Sequence, residues 1–205
     1  MISVTAIDSV IPLLYNPRNI HYGLTKRRAL FMLRKEDCRP LPNMTGHKCF
    51  GCGPLNHSGL KMEFHTNGSS VLSWVTVPAH LCGWENLVHG GVLSTMLDEV
   101  MSKAMVHSLK SLGLTKSMTV NFIKPVHVGR EVMVEGKILE AKEDGEAITE
   151  GIIYDDQGNV CTRSTGTFTL FSPQAIKRKG IASDDVIAWF VKYIDAREDN
   201  GNSDS

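Results

Sequence analysis

The chain has 205 residues, of which 42% are hydrophobic and 21% charged, enough to bury one good core but hardly two. Its 22 basic and 22 acidic side chains cancel, which argues against both a nucleic-acid partner and a membrane surface. No apolar run approaches the roughly 20 residues that cross a bilayer, and five cysteines, an odd number, favour reduced thiols in a cytoplasmic protein over a disulfide framework.

Three parts follow in chain order. Residues 1–45 form an N-terminal extension with Pro12, Pro17, Pro40 and Pro42 and an acid-free basic stretch from Arg18 to Lys35, read as a short amphipathic helix. Its opening apolar patch is interrupted by Asp8 and has no positive region before it, so it does not read as secretory. Residues 46–172 are the core domain. From residue 173 onward, Ser183-Asp184-Asp185 caps an expected docking helix through Val186–Val191, and residues 197–205 read as disordered.

Inside the core domain, Leu60–His65 and Val71–Val77 read as strands, followed by a helix that opens on Gly90-Gly91. Beyond Gly113 come Ser117–Ile123, Glu131–Leu139, Ala147–Tyr154 and Val160–Phe171, each rich in β-branched or aromatic residues. Asp144-Gly145 and Asp155–Asn159 supply turns. Strands with no helices between them pair mainly antiparallel, so the fold class is α+β, one long helix packed on one antiparallel sheet.

The helix carries the chemistry. Asp98 interrupts an otherwise apolar run, and an unpaired carboxylate buried there costs several kcal/mol unless it is used. At 3.6 residues per turn it shares a stripe with Gly91, Ser94, Thr95, Met101, Ser102 and Met105. Glu99 sits about 100° away with Lys103 four residues on, the spacing of a solvated surface pair, so Asp98 is the catalytic candidate of the two. The two glycines leave backbone N–H groups open to a ligand at the positive end of the helix dipole. Gly90 and Asp98 stand about 12 Å apart along the axis, too far to act on one carbonyl within one chain.

Several segments, in series, resemble the hotdog-fold acyl-CoA thioesterases, in the branch of the phenylacetate-pathway enzyme and the human thioesterase-superfamily proteins. They are Cys49–Asn56 with Gly59-Leu60; Gly83-Trp84 leading to His89-Gly90-Gly91; Leu97-Asp98-Glu99; and Val120–Val126 with Gly129. The resemblance implies a hotdog fold, a central helix wrapped by an antiparallel sheet, and hydrolysis of a thioester to a carboxylic acid and free coenzyme A. It implies that the Gly90 N–H is the oxyanion donor, that Asp98 is base or nucleophile, and that His89 holds the loop. It also implies a hydroxyl at the start of the strand after the helix, Thr115 with Ser117 as substitute. Where some members carry Asn or Gln, this chain has Gly83, with Glu85 and Asn86 nearby.

Expected substrate contacts are His89, Gly91, Asn121, Lys124, Pro125 and Arg130, the two cations serving the coenzyme A phosphates. No separate cofactor is expected, since coenzyme A belongs to the substrate. The expected assembly is a homodimer or a dimer of dimers with sites at the subunit boundary, Met101 and Met105 meeting the partner chain. No nucleic acid or membrane partner is expected.

Cys49 and Cys52, with His47 and His57 nearby, offer a Cys-x-x-Cys that could hold zinc, but no second pair follows and the ligands crowd into 11 residues. They are taken as structural, with no metal. Two other functions share the fold. A dehydratase or hydratase uses a catalytic His in another setting, and a non-catalytic acyl-CoA-binding regulator would need a DNA-reading module that the short basic segment around Arg27 does not supply.

Overall fold

A computed structural model describes residues 33–201, with side chains described to Tyr193. The basic helix expected over residues 18–35 lies almost wholly outside the described residues, as do residues 202–205.

Among the described residues seven strands form one sheet: β1 (Arg39–Leu41), β2 (Phe64–Thr66), β3 (Val71–Thr76), β4 (Leu112–Phe122), β5 (Glu131–Ala141), β6 (Glu146–Tyr154) and β7 (Val160–Phe171). Their order is β1-β2-β3-β5-β6-β7-β4, and every neighbouring pair is antiparallel. β5, β6 and β7 follow one another through short turns, where Gly145 and Gly158 take positive φ. β4, made just before them in sequence, closes the far side of β7, and among the described residues no strand pairs with its outer edge.

Helix α1 (Gly90–Leu109) packs on this sheet with Val92, Leu93, Met96, Leu97, Val100, Met101, Ala104 and Met105 buried. Fully burying each of these valine, leucine and methionine side chains contributes about 1.5–3 kcal/mol. Met101 and Met105 are wholly buried in the chain's own core, which corrects the expectation that they meet a partner. The helix comes unusually close to β5 because Gly136 has no side chain; a β-carbon there would stand 2.5 Å from the Val100 carbonyl oxygen.

The element boundaries differ in instructive ways. The first expected strand shortens to Phe64–Thr66, and the sheet gains β1, which pairs Arg39–Leu41 with Phe64–Thr66 and so begins before residue 46. Helix α2 (Pro173–Lys179) was not anticipated, although Ser172 at its N-cap, Pro173 in its first turn and the left-handed Gly180 at its C-cap are ordinary boundary signals. Helix α3 (Asp184–Gly201) docks as expected through Phe190 and Tyr193 onto Val106, and it continues through residues 197–201 as helix.

Candidate active site

The sequence His89-Gly90-Gly91 starts α1 as its residue types demand. His89 is the N-cap, and its Nδ1 accepts the Gly91 N–H at 2.9 Å, which places the ring proton on Nε2. The Val92 and Leu93 N–H groups turn back to the His89 carbonyl. Among the described residues the Gly90 N–H has no hydrogen-bond partner and lines a cleft of about 380 Å³. Leu87, Leu93, Phe122, Lys124 and Pro125 form other walls of this cleft. An open backbone donor at a helix N-terminus is a natural seat for an oxygen that gains negative charge.

The second part of the site lies two turns along α1. Thr115 Oγ1 donates to Asp98 Oδ1 at 2.6 Å. Burial pushes the Asp98 carboxyl above its usual value of 3.8; the Thr115 hydrogen bond pulls it back, and the nearby Glu99 pushes it up further. Asp98 is only half-buried, so it combines desolvation with an open side.

A bulge in β4 decides which hydroxyl reaches Asp98. Register with β7 shifts between Thr115 and Ser117, leaving Lys116 as the extra residue. Before the bulge Gly113 and Thr115 face α1; after it the phase flips, Met118 and Val120 pack against the core, and the exposed Phe122 lies over Gly90 at the cleft. Ser117 is therefore turned out to solvent. The same phase turns Asn121 outward, opposite Arg163 on β7, away from the cleft. Lys124 and Pro125 border the cleft, whereas Arg130 is exposed and pairs with Asp156 at 3.6 Å. Near Gly83 the positive φ falls on Glu85, at 50°, while Asn86 is the next residue of the same turn, its carbonyl accepting the Val128 N–H.

Glu99 is not the solvated surface acid that helical spacing suggests. The loop carrying Cys49 and Cys52 folds over it, and Cys49 Sγ and Glu99 Oε1 share a hydrogen bond at 2.9 Å. Burial and the Cys49 contact push the Glu99 carboxyl up to about 7. Hydrogen bonds from the Cys52 side chain and from the backbone N–H groups of Cys52 and Gly51 pull Cys49 down to about 4, and the Cys49 contact and burial push Cys52 up. Lys103, the expected partner of Glu99, instead reaches Asn43 Oδ1 at 3.4 Å and lies over the rings of Phe64 and Trp189 at 5.2 and 5.1 Å. Helical periodicity reports only the helix's own faces; it is blind to a loop fifty residues earlier that covers one of them. All five cysteines are free thiols.

Comparison with known proteins fits this geometry. Residues 85–161 match the family described as Thioesterase superfamily. Verlamelin biosynthesis protein B of a Lecanicillium species is 22% identical over 153 residues, covering 57% of this chain and 66% of that protein, so the chain spans just under two thirds of that relative's length. A solved thioesterase superfamily protein superposes with a TM-score of 0.57 at 20% identity, across 77% of this chain and 81% of its own. A hypothetical thioesterase from Streptococcus pneumoniae TIGR4, solved with coenzyme A, gives a TM-score of 0.50 at 20% identity over 54% of this chain and 86% of its own. That protein has also been solved as an Asp-to-Ala and as a Thr-to-Ala variant. With one long helix on a continuous antiparallel sheet, the chain has the hotdog fold of these solved proteins, and its residues 85–161, the helix and the strands after it, are similar to the Thioesterase superfamily.

Proposed function

We propose that the protein is an acyl-CoA thioesterase in which Asp98 is the base or nucleophile and the Gly90 N–H stabilises the oxyanion. The observation that carries this reading is the Thr115–Asp98 hydrogen bond at 2.6 Å. It fixes one carboxylate oxygen and leaves the other for a water or a thioester carbon. Asp98 either takes a proton from a water that attacks the carbonyl carbon, or attacks that carbon itself to form a mixed anhydride that water then hydrolyses to the free acid; in both cases the carbon–sulfur bond breaks, and coenzyme A leaves as a thiolate that takes up a proton. The solved Asp and Thr variants of the S. pneumoniae protein concern the same two residue types.

Within one chain the Asp98 carboxylate and the Gly90 cleft sit about 12 Å apart along α1, so each working site combines Asp98 of one protomer with Gly90 of another. The outer edge of β4, unpaired among the described residues, with Leu114 and Phe122 exposed along it and Ile123 just beyond, supports a homodimer that places these halves together. Lys124, at the cleft rim, is suited to a coenzyme A phosphate. The test is thiol release from short, long and aromatic acyl-CoAs. Hydrolysis of at least one class is expected, and absence of turnover on all three with folded dimeric protein would overturn the reading.

A further inference from the structure

Outside the thioesterase machinery, the described residues bring together one set of converging metal-type donors: Cys49 Sγ, Cys52 Sγ and a Glu99 carboxylate oxygen, all within 4.8 Å of one another. We propose that Cys49, Cys52 and Glu99 form a binding site for a divalent cation of the Zn²⁺ class, clasping the loop after β1 to α1.

Three observations support it. Tetrahedral Zn²⁺ with bonds of about 2.0–2.3 Å holds its donors roughly 3.5–3.8 Å apart, so the three atoms need shift by no more than about 1 Å. The turn Cys49-Phe50-Gly51-Cys52 already aims the backbone N–H groups of Gly51 and Cys52 at the Cys49 sulfur, the kind of support that holds a liganding thiolate in place. Gly51 is the residue the approach requires: a β-carbon there would stand 2.2 Å from Glu99 Cγ, so any side chain would push the acid away from the sulfurs. His47, two residues before Cys49, has its Nε2 buried and without a hydrogen-bond partner, but its ring is not among the converging donors. Two thiols and a carboxylate suit Zn²⁺ rather than Mg²⁺ or Ca²⁺, which prefer oxygen donors throughout. Exposed His57, considered from the sequence, is not part of the cluster. Glu99 supplies the third ligand that a lone Cys-x-x-Cys lacks.

The test uses the full chain, purified without an affinity tag, reduced, stripped with a chelator and titrated with Co²⁺ and with Zn²⁺ against a chromophoric chelator. One metal per chain is expected, with the intense visible bands of tetrahedral Co²⁺ and a thiolate-to-metal charge-transfer band, both displaced by Zn²⁺. The melting temperature should rise on Zn²⁺ addition. Cys49→Ser should remove the charge-transfer band or weaken it by about half, and Glu99→Gln should weaken Zn²⁺ binding at least tenfold. Wild-type protein that is folded, with its thiols counted as reduced, and that takes up no stoichiometric metal would overturn the proposal. So would metal binding undiminished in both variants, which would place the metal on Cys38, Cys82 or Cys161.

Discussion

Thr115 reaches Asp98 only because β4 carries an extra residue at Lys116, which turns Thr115 toward α1 while Ser117 faces solvent. A hydroxyl placed by a bulge and a carboxylate placed by helical register thus meet at 2.6 Å, and the first three predictions test what that meeting and the Gly90 N–H do.

Asp98→Asn should lower kcat by at least about 100-fold, the scale of losing a positioned base or nucleophile. The fold should not suffer. Burial holds the Asp98 carboxyl above 3.8, so the folded state binds this proton more tightly than the unfolded chain does. That contribution to stability is complete below pH 3.8 and is lost as pH rises through the folded value. An amide does not ionise and escapes the penalty, so the variant should melt at or above the wild-type temperature at pH 7–8, with the comparison less favourable to it near pH 4. Thermal melts at the two pH values together with acyl-CoA turnover check both halves.

Thr115→Val keeps the β-branched shape and removes the donor. Since the hydrogen bond lowers the Asp98 pKa, its loss should raise that pKa, and the acid limb of the kcat/KM profile should move to higher pH. Activity should fall most at the acid end and recover partly as pH rises. An unshifted acid limb would show that Thr115 does not act through Asp98. Ser117→Ala, on the solvent side, should leave the profile where it is.

Gly90→Pro tests the oxyanion donor with little disturbance, because position 90 is the first residue of α1, where proline is well tolerated, and His89 already has the extended backbone that precedes a proline. It deletes the N–H and should cost roughly 10²–10³ in kcat. Refolding Gly90→Pro chains together with Asp98→Asn chains should regenerate activity, since one of the two sites in a mixed dimer regains both intact groups. If the mixture stays as inactive as its parents while forming heterodimers, the site is not shared between chains.

Gly136→Ala should destabilise the fold by about 1–3 kcal/mol, because the new methyl meets backbone at 2.5 Å and cannot be relieved by a side-chain rotation. Urea denaturation at neutral pH measures it. A variant as stable as wild type would mean that α1 can retreat from β5 at no cost.

Much of this protein is local and was legible as such. Periodicity and β-branched composition placed α1 and the four strands after it, because a 20-residue helix and 9- to 12-residue strands repeat their pattern often enough to be read, although β4 begins at Leu112, five residues before the expected start at Ser117. Asp98 stood out because a carboxylate in an apolar helix is costly wherever the chain folds. β1 and β2, three residues each, were missed or misdrawn, since pairing with a neighbour defines them and their own pattern is too short. Only the tertiary structure decided that Ser117 and Asn121 face outward, because a one-residue bulge reverses every side chain after it. It alone decided that Glu99 lies under Cys49 and Cys52, since residues 50 positions apart meet through chain topology, which no local spacing encodes.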